Sequence, residues 1–471
     1  MLHVALALKL AVWPLAQEGL INWPHFFIVS YLSRTSFTPS CIYPYFCRMD
    51  FKRRRLAVTL RNQLNYPLQF NPFVFSRIFL LWVAIGIIGG VIAGVYWTVL
   101  ESLLHFLAPV QGLWVIPLMA TAGLLAGIII HKLGDPGEMD LIVNNIRLKG
   151  GHLEPKNNPS MILSSWLCIA SGGSAGPEAP LVQVVGSTGT WIAKKLKIRG
   201  EDLRSLTIAG MAAAFTALFG APLGGTLFAL EILHHKHVVE YYQALIPAFV
   251  ASCSSYVVFI LITHIGIGPT WNFPVYATPE LNDFFYAMLY ALAGTAAGWL
   301  FIFIVRQCRS LFQRFGVPIY TKMMVGGLLI GTIAYFVPLS RYFSHDELNI
   351  LLAEEFSLEF LLILLVAKIF AIAFTVTSGW RGGFIIPLFF VGATVGLIIN
   401  SLFPGQNLPL ILVSCMAAIN ACVTRTPIST IILLSTLTGF HQFIPIMFAS
   451  LTGFFLAPKT PLINAQLGLQ E

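Results

Sequence analysis

The chain has 471 residues, 57% of them hydrophobic and only 10% charged, with a formal net charge of +8. A soluble domain carries about 25% charged residues, so this composition excludes a water-faced globular protein and predicts one that crosses a membrane several times. The positive charge lies in short flanks, Lys52 to Arg55 and Lys194 to Arg199, with no RNA- or DNA-binding motif beside it. That pattern excludes nucleic acid as a partner and, by the positive-inside rule, puts the start of the fold in the cytoplasm.

In chain order, residues 1–48 show neither a helical nor a strand period, and their short apolar stretch has no basic leader. They are expected to add nothing to the fold and to precede the true start. Met49-Asp-Phe-Lys-Arg-Arg-Arg reads as a cytoplasmic beginning, with 49–74 as a cytoplasmic segment. Charge-free runs follow at Ile78–Leu100, Ser205–Leu230, Phe284–Val305 and Gly382–Thr424. A spanning helix needs roughly 20 apolar residues, so the last run is predicted to hold two segments with a turn over Asn400–Asn407.

Two phrases repeat. SGGSAGPEAPL begins at Ser171 and SGWRGGFIIPL at Ser378, 207 residues apart, each with Ser-Gly at its head and Gly, Pro and Leu at matching places. Met211-Ala-Ala and Met416-Ala-Ala are each followed by proline eleven residues after the methionine, at Pro222 and Pro427, with an offset of 205. The shared order and offset predict two structural repeats, 75–265 and 280–462, followed by a short tail, 463–471. Glycine and proline inside apolar sequence mark interrupted helices, which survive in hydrocarbon only where protein or a water-filled cavity satisfies the backbone. Such breaks build binding sites where repeats meet. A helix that begins there aims free N–H groups and about half a positive charge at the cavity, which is an anion site. Glu178 falls in the first turn after Gly176-Pro177, whereas Ile385 holds the equivalent place in the second copy. One carboxylate competing with an anion is a gate, opened by displacement or protonation.

GDPGEMD, from Gly134, is a third break, read either as a polar loop, as part of the pathway, or as an acidic cation site of Asp135, Glu138 and Asp140. His234–His237 close an apolar helix, with Glu231 as a plausible acidic partner. The seven cysteines form no CxxC pair, so neither metal, cofactor nor disulfide framework is predicted. His105, His131 and His264 lack an evident nucleophile or acid partner, which argues against an intramembrane enzyme.

These residues resemble the CLC chloride channel and anion–proton antiporter family. GSAGPEAPLVQ is similar to the family's G-K/R-E-G-P motif, with Glu178 at the gating glutamate, Pro177 at the basic position and Ala179 at the second glycine. GGFIIP resembles its G-x-F-x-P motif, with Phe384 and Ile385 supplying backbone amides. DPGEM falls on G-S-G-I-P, with Pro136 at the serine, Gly137 beside it, and Asp135 there if the register shifts by one. FGAPLGGTLFALE is similar to the helix ending at the inner acidic pair, here Glu231-Ile232, and TPLIN puts Ile463 at the inner gating tyrosine.

The resemblance implies an all-α polytopic membrane protein built as an inverted repeat of tilted and broken helices and a homodimer with one anion pathway per subunit; with only nine residues after Leu462, no C-terminal regulatory domain is expected. It also implies anion binding at Gly176, Pro177, Ala179, Phe384, Ile385, Pro136 and Gly137, with Glu231, Ile232 and Ile463 as inner gate or proton path. With isoleucine at the second inner acidic position, the expected activity is passive or weakly proton-coupled transport of a small inorganic anion. A stoichiometric anion/proton antiporter is the alternative, and a cation transporter using Asp135, Glu138 and Asp140 a distant one. Intact-mass measurement of the native protein should place its N-terminus at Met49; a start at Met1 would overturn the reading of residues 1–48.

Overall fold

The computed structural model describes residues 77–463 and 466, except 138, 149, 234–237, 275, 277–279 and 315; for 77, 139, 147–148 and 238–242 it describes the backbone alone. The expectations for residues 1–74, for Glu138 and for His234–His237 fall outside the described residues.

Among the described residues the protein is all-helical, with sixteen α-helices. Eight come before residue 270: α1 Arg77–Leu107, α2 Val115–Leu133, α3 Met139–Leu148, α4 Asn158–Ala170, α5 Glu178–Lys195, α6 Glu201–Phe219, α7 Pro222–Glu231 and α8 Val238–Thr263. Eight follow: α9 Leu281–Arg314, α10 Ile319–Phe336, α11 Asp346–Ala353, α12 Leu358–Thr377, α13 Ile385–Leu402, α14 Leu408–Thr424, α15 Pro427–Thr438 and α16 Phe443–Phe455. The two series pack alike. Helix α1 lies on α8 as α9 lies on α16, α5 on α6 as α13 on α14, and α4 on α2 as α12 on α10. Helix α2 packs on α10, and α7 on α15, between the two series.

Among the described residues, eight helices are long and apolar enough to cross a membrane. The outer ones leave large apolar side chains exposed, among them Val95, Leu261, Trp299 and Ile363; these suit hydrocarbon. Helices α5, α6, α13 and α14 are buried along nearly their whole length. Helix α5 is not among the apolar spans because it carries Glu178, Lys194 and Lys195 at its ends and Gln183, Ser187, Thr188 and Thr190 along its length.

The predicted turn in Gly382–Thr424 is found between α13 and α14. The run Ser205–Leu230 is not one helix: it divides into α6 and α7 at Gly220, which is left-handed (φ 63°), just before Pro222. The second series breaks the same way at Arg425 (φ 59°), before Pro427. Arginine tolerates that conformation because its guanidinium donates to the carbonyls of Pro458 and Lys459. Charge counting cannot show such a break; the glycine and proline could.

Helices α2 and α10 approach through Gly123, Gly127 and Gly327, where an added methyl would overlap the backbones of Met323, Tyr320 and Met119 respectively. Small residues allow this contact in a membrane, where apolar burial gives little drive for association. The substitution Gly327→Val should lower the detergent-solubilised protein's melting temperature, at a cost of about 1–3 kcal/mol from overpacking. Gly266→Ala, which meets open space, should leave it unchanged in the same thermal scan.

Candidate functional site

The two repeated phrases meet. Helix α4 ends at Ala170 and α12 at Thr377; each is capped by a serine, Ser171 or Ser378, followed by a glycine in a conformation that L side chains rarely adopt, Gly172 (φ 120°) or Gly379 (φ 93°). The Ser-Gly heads of the phrases are therefore the stops of the two incoming helices. Five residues after each serine the strands of backbone pair: Gly176 N–H donates to the Gly383 carbonyl at 2.8 Å, and Gly383 N–H to the Gly176 carbonyl at 2.7 Å. Helices α5 and α13 start immediately afterwards, with Pro177 and Phe384 at the N-cap positions and no side-chain cap on either. Pro177 thus precedes the first helical residue instead of being it. Uncapped first-turn N–H groups look for an acceptor.

One acceptor is in place. Glu178 is wholly buried, and its Oε1 accepts the Ile386 N–H at 3.2 Å. Its Oε2 has no hydrogen-bond partner and lies against the Gly176–Gly383 pair, so that a methyl on Gly383 would fall 2.5 Å from it. The carboxylate of the first phrase therefore occupies the amino end of the second helix. The amide that holds it belongs to Ile386, one residue beyond the expected Phe384 and Ile385, because the helix starts at Ile385 and its next N–H is among those without an intrahelical partner. Asn420 supports that start, with Nδ2 donating to the Ile385 carbonyl at 3.1 Å.

Beside this lies a cavity of about 40 Å³ bordered by Gly137, Ala179, Arg381, Phe384 and Ile463. It brings together four of the residues expected to bind or gate an anion. Pro136 is buried but does not border the cavity. Asp135, the other candidate for that register position, turns its carboxylate to the Gly137 N–H at 2.8 Å and to Arg381 at 2.7 Å. Asp140 faces Arg309 at 3.9 Å. Each described acid of the cation-site reading thus meets an arginine, and no cluster of metal-ligating side chains occurs among the described residues.

Glu231 and Ile232 lie elsewhere. The Glu231 carboxylate caps α15, accepting from Ile428 N–H at 2.9 Å and from the Ser429 N–H and hydroxyl at 2.7 Å each. That is a helix-capping role, an acid at a positive helix end. Ile232 is buried, and its carbonyl accepts from Gln466 at 3.4 Å.

Three buried bases were not singled out from the sequence. Arg341 donates to the Ser171 carbonyl at 3.0 Å, Lys368 to the Ser340 and Tyr342 carbonyls at 3.0 and 2.9 Å, and Arg381 to the Gly137 carbonyl at 3.0 Å. Lys368 stands alone in an apolar span and Arg381 inside a repeated break. A lone charge at membrane depth was the available signal.

The family model described as "Voltage gated chloride channel" matches residues 122–458. An uncharacterized protein of Methanocaldococcus jannaschii is 29% identical over 374 residues, covering 79% of this chain and 92% of that protein. A chloride/fluoride channel protein of Pseudomonas syringae pv. tomato is 26% identical, covering 75% and 78%. Among solved structures, a CLC-type fluoride/proton antiporter superposes with a TM-score of 0.75 at 20% identity over 84% of this chain and 98% of that one. A slow cyanobacterial Cl−/H+ antiporter gives 0.73 at 18%, over 82% and 96%. These likenesses agree on the fold.

Because a methyl on Gly383 cannot coexist with the Glu178 carboxylate, Gly383→Ala should expel that side chain from the Ile386 amide. A structure of the variant that keeps the Glu178–Ile386 hydrogen bond would contradict this.

Proposed function

Since the chain belongs to the voltage-gated chloride channel family, which places it among multi-pass membrane transporters and channels and not among enzymes, we propose that it carries a small inorganic anion across the membrane between the amino ends of α5 and α13, with Glu178 as the gate. The observation that carries this reading is the position of the Glu178 carboxylate on the Ile386 amide. A negative group already rests where helix ends and glycine backbone offer N–H donors and no side chain stands in the way. An anion arriving there must displace it or wait for its protonation. Backbone at Gly176, Pro177, Ala179, Phe384 and Ile385 forms the walls on this reading, with Gly137 and Ile463 on the way through. Two such pathways, one per subunit, would stand side by side in a homodimer.

Passive or weakly proton-coupled transport is the mode we favour. Ile232 offers no carboxylate to relay a proton, and Glu231 is engaged by the amides of α15. The named antiporters among the solved structures keep stoichiometric exchange as the second reading, and one assay separates them: an imposed chloride gradient should drive few or no protons uphill in liposomes if the favoured mode holds, and protons in a fixed ratio to anions if exchange is stoichiometric.

Glu178→Gln tests the gate. Wild-type flux should rise as pH falls, because protonation releases the carboxylate from its donor. The glutamine variant should be independent of pH and, at neutral pH, faster by about tenfold or more, the order expected for losing one charge-assisted hydrogen bond. A variant that retains wild-type pH dependence in a liposome anion-flux assay removes Glu178 from the gate.

A further inference from the structure

Arg381 is the only charged residue between Lys368 and Arg425. Its side chain is 4% exposed. Two of its nitrogens are engaged, Nη1 by the Gly137 carbonyl at 3.0 Å and Nη2 by Asp135 Oδ1 at 2.7 Å. The third, Nε, is buried and has no hydrogen-bond partner. A guanidinium keeps its charge under all ordinary conditions, and a buried charged donor left without an acceptor is strongly unfavourable. The cavity that Arg381 borders with Ala179, Phe384 and Ile463 has about 40 Å³, room for one small ion or water. Ala179 is the neighbour of Glu178, so the cavity adjoins the gate.

We propose that Arg381 is an anion-coordinating residue, its Nε–H holding a small monovalent anion in this cavity next to the Glu178 position. The proposal rests on the transport reading and deepens it by adding a fixed cation to a pathway otherwise built from backbone dipoles. The Asp135 carboxylate pairs with Nη2 at 2.7 Å and offsets part of the charge, but its side chain is 67% exposed and screened by water, and Nε–H keeps no acceptor of its own. The Gly137 and Asp135 contacts lock the guanidinium plane, which leaves one N–H edge presented and makes Arg381 a placed donor instead of a mobile charge. Arg309 and Asp140 also border the cavity and face each other at 3.9 Å, so the net charge they contribute is small. A spherical halide or one oxygen of a planar oxyanion such as nitrate suits a single donor.

Bromide is the probe. Anomalous diffraction from crystals of the full chain grown in sodium bromide should show an ion in contact with Arg381 Nε. Titration calorimetry with sodium bromide should show Arg381→Gln weaker by about tenfold or more, the order of one charge-assisted hydrogen bond, while Asp135→Asn keeps the ion in place. The proposal is overturned if the wild-type map is empty at Arg381, a result that needs no variant to fold, or if folded Arg381→Gln binds bromide as wild type does. Liposome bromide flux of the wild type, run alongside, separates the two ideas. Flux with no ion at Arg381 removes the site and leaves transport standing; an ion at Arg381 without flux leaves the site standing and removes transport.

Discussion

Two backbone hydrogen bonds between Gly176 and Gly383 hold the centre of this molecule together. Each closes with ordinary amide geometry, yet their placement decides everything near them. The pair ties the end of one broken span to the end of another, so α5 and α13 must begin at the same place. A methyl on either partner, Gly176 or Gly383, would strike the Glu178 carboxylate where it rests. Glycine is thus required here for close approach, while Gly172 and Gly379 are required for their positive φ. Four glycines with two different duties explain why the phrase is glycine-rich in both copies.

The asymmetry between the copies has a physical meaning at this junction. With glutamate in both, two buried carboxylates would contend for one set of N–H groups and repel each other. With isoleucine in both, the amino ends of α5 and α13 would face an empty space with no internal acceptor. One carboxylate satisfies the Ile386 amide at the expense of leaving its own Oε2 unpaired. An ionised carboxylate buried with a single hydrogen bond is poorly solvated, so its hold on the site is weak enough to be contested. The gating role proposed for Glu178 needs that balance, which a carboxylate with several strong partners, such as Glu231 on the amides of α15, lacks.

How much of this was legible in the sequence depends on whether a feature is local. The two breaks, their common offset, the turn after α13 and the single acidic residue all follow from the order of glycine, proline and charge along the chain. The pairing of the phrases at one site follows from the rule that broken helices of repeats build a site where the repeats meet. What stayed hidden is nonlocal. Nothing near Asp135 in sequence announces that its carboxylate faces Arg381, 246 residues away, and the choice between Asp135 and Pro136 turns on that contact. The cap that Glu231 places on α15 joins residues 197 and 198 apart. The start of helix α5 is legible at Gly176-Pro177-Glu178, but hydropathy passes over its length because Glu178, Lys194 and Lys195 at its ends and four polar residues along it make it too wet to read as a span.

The buried bases complete the electrostatics. A span broken inside a membrane exposes carbonyl ends as well as amino ends, and both demand partners. At the carbonyl ends the chain supplies its own: Arg341 takes Ser171 after α4, Lys368 takes Ser340 and Tyr342 after α10, and Arg381 takes Gly137 after α2. Basic donors are the right partners there, because carbonyls carry the negative end of the peptide dipole. At the amino ends of α5 and α13 no capping side chain appears on the N-cap residue. The chain therefore settles one half of its broken backbone with fixed donors and leaves the other half to a single displaceable carboxylate. That division, more than the number of charges, places the free N–H donors at the start of α5 and α13, where the proposed pathway would offer them to an anion.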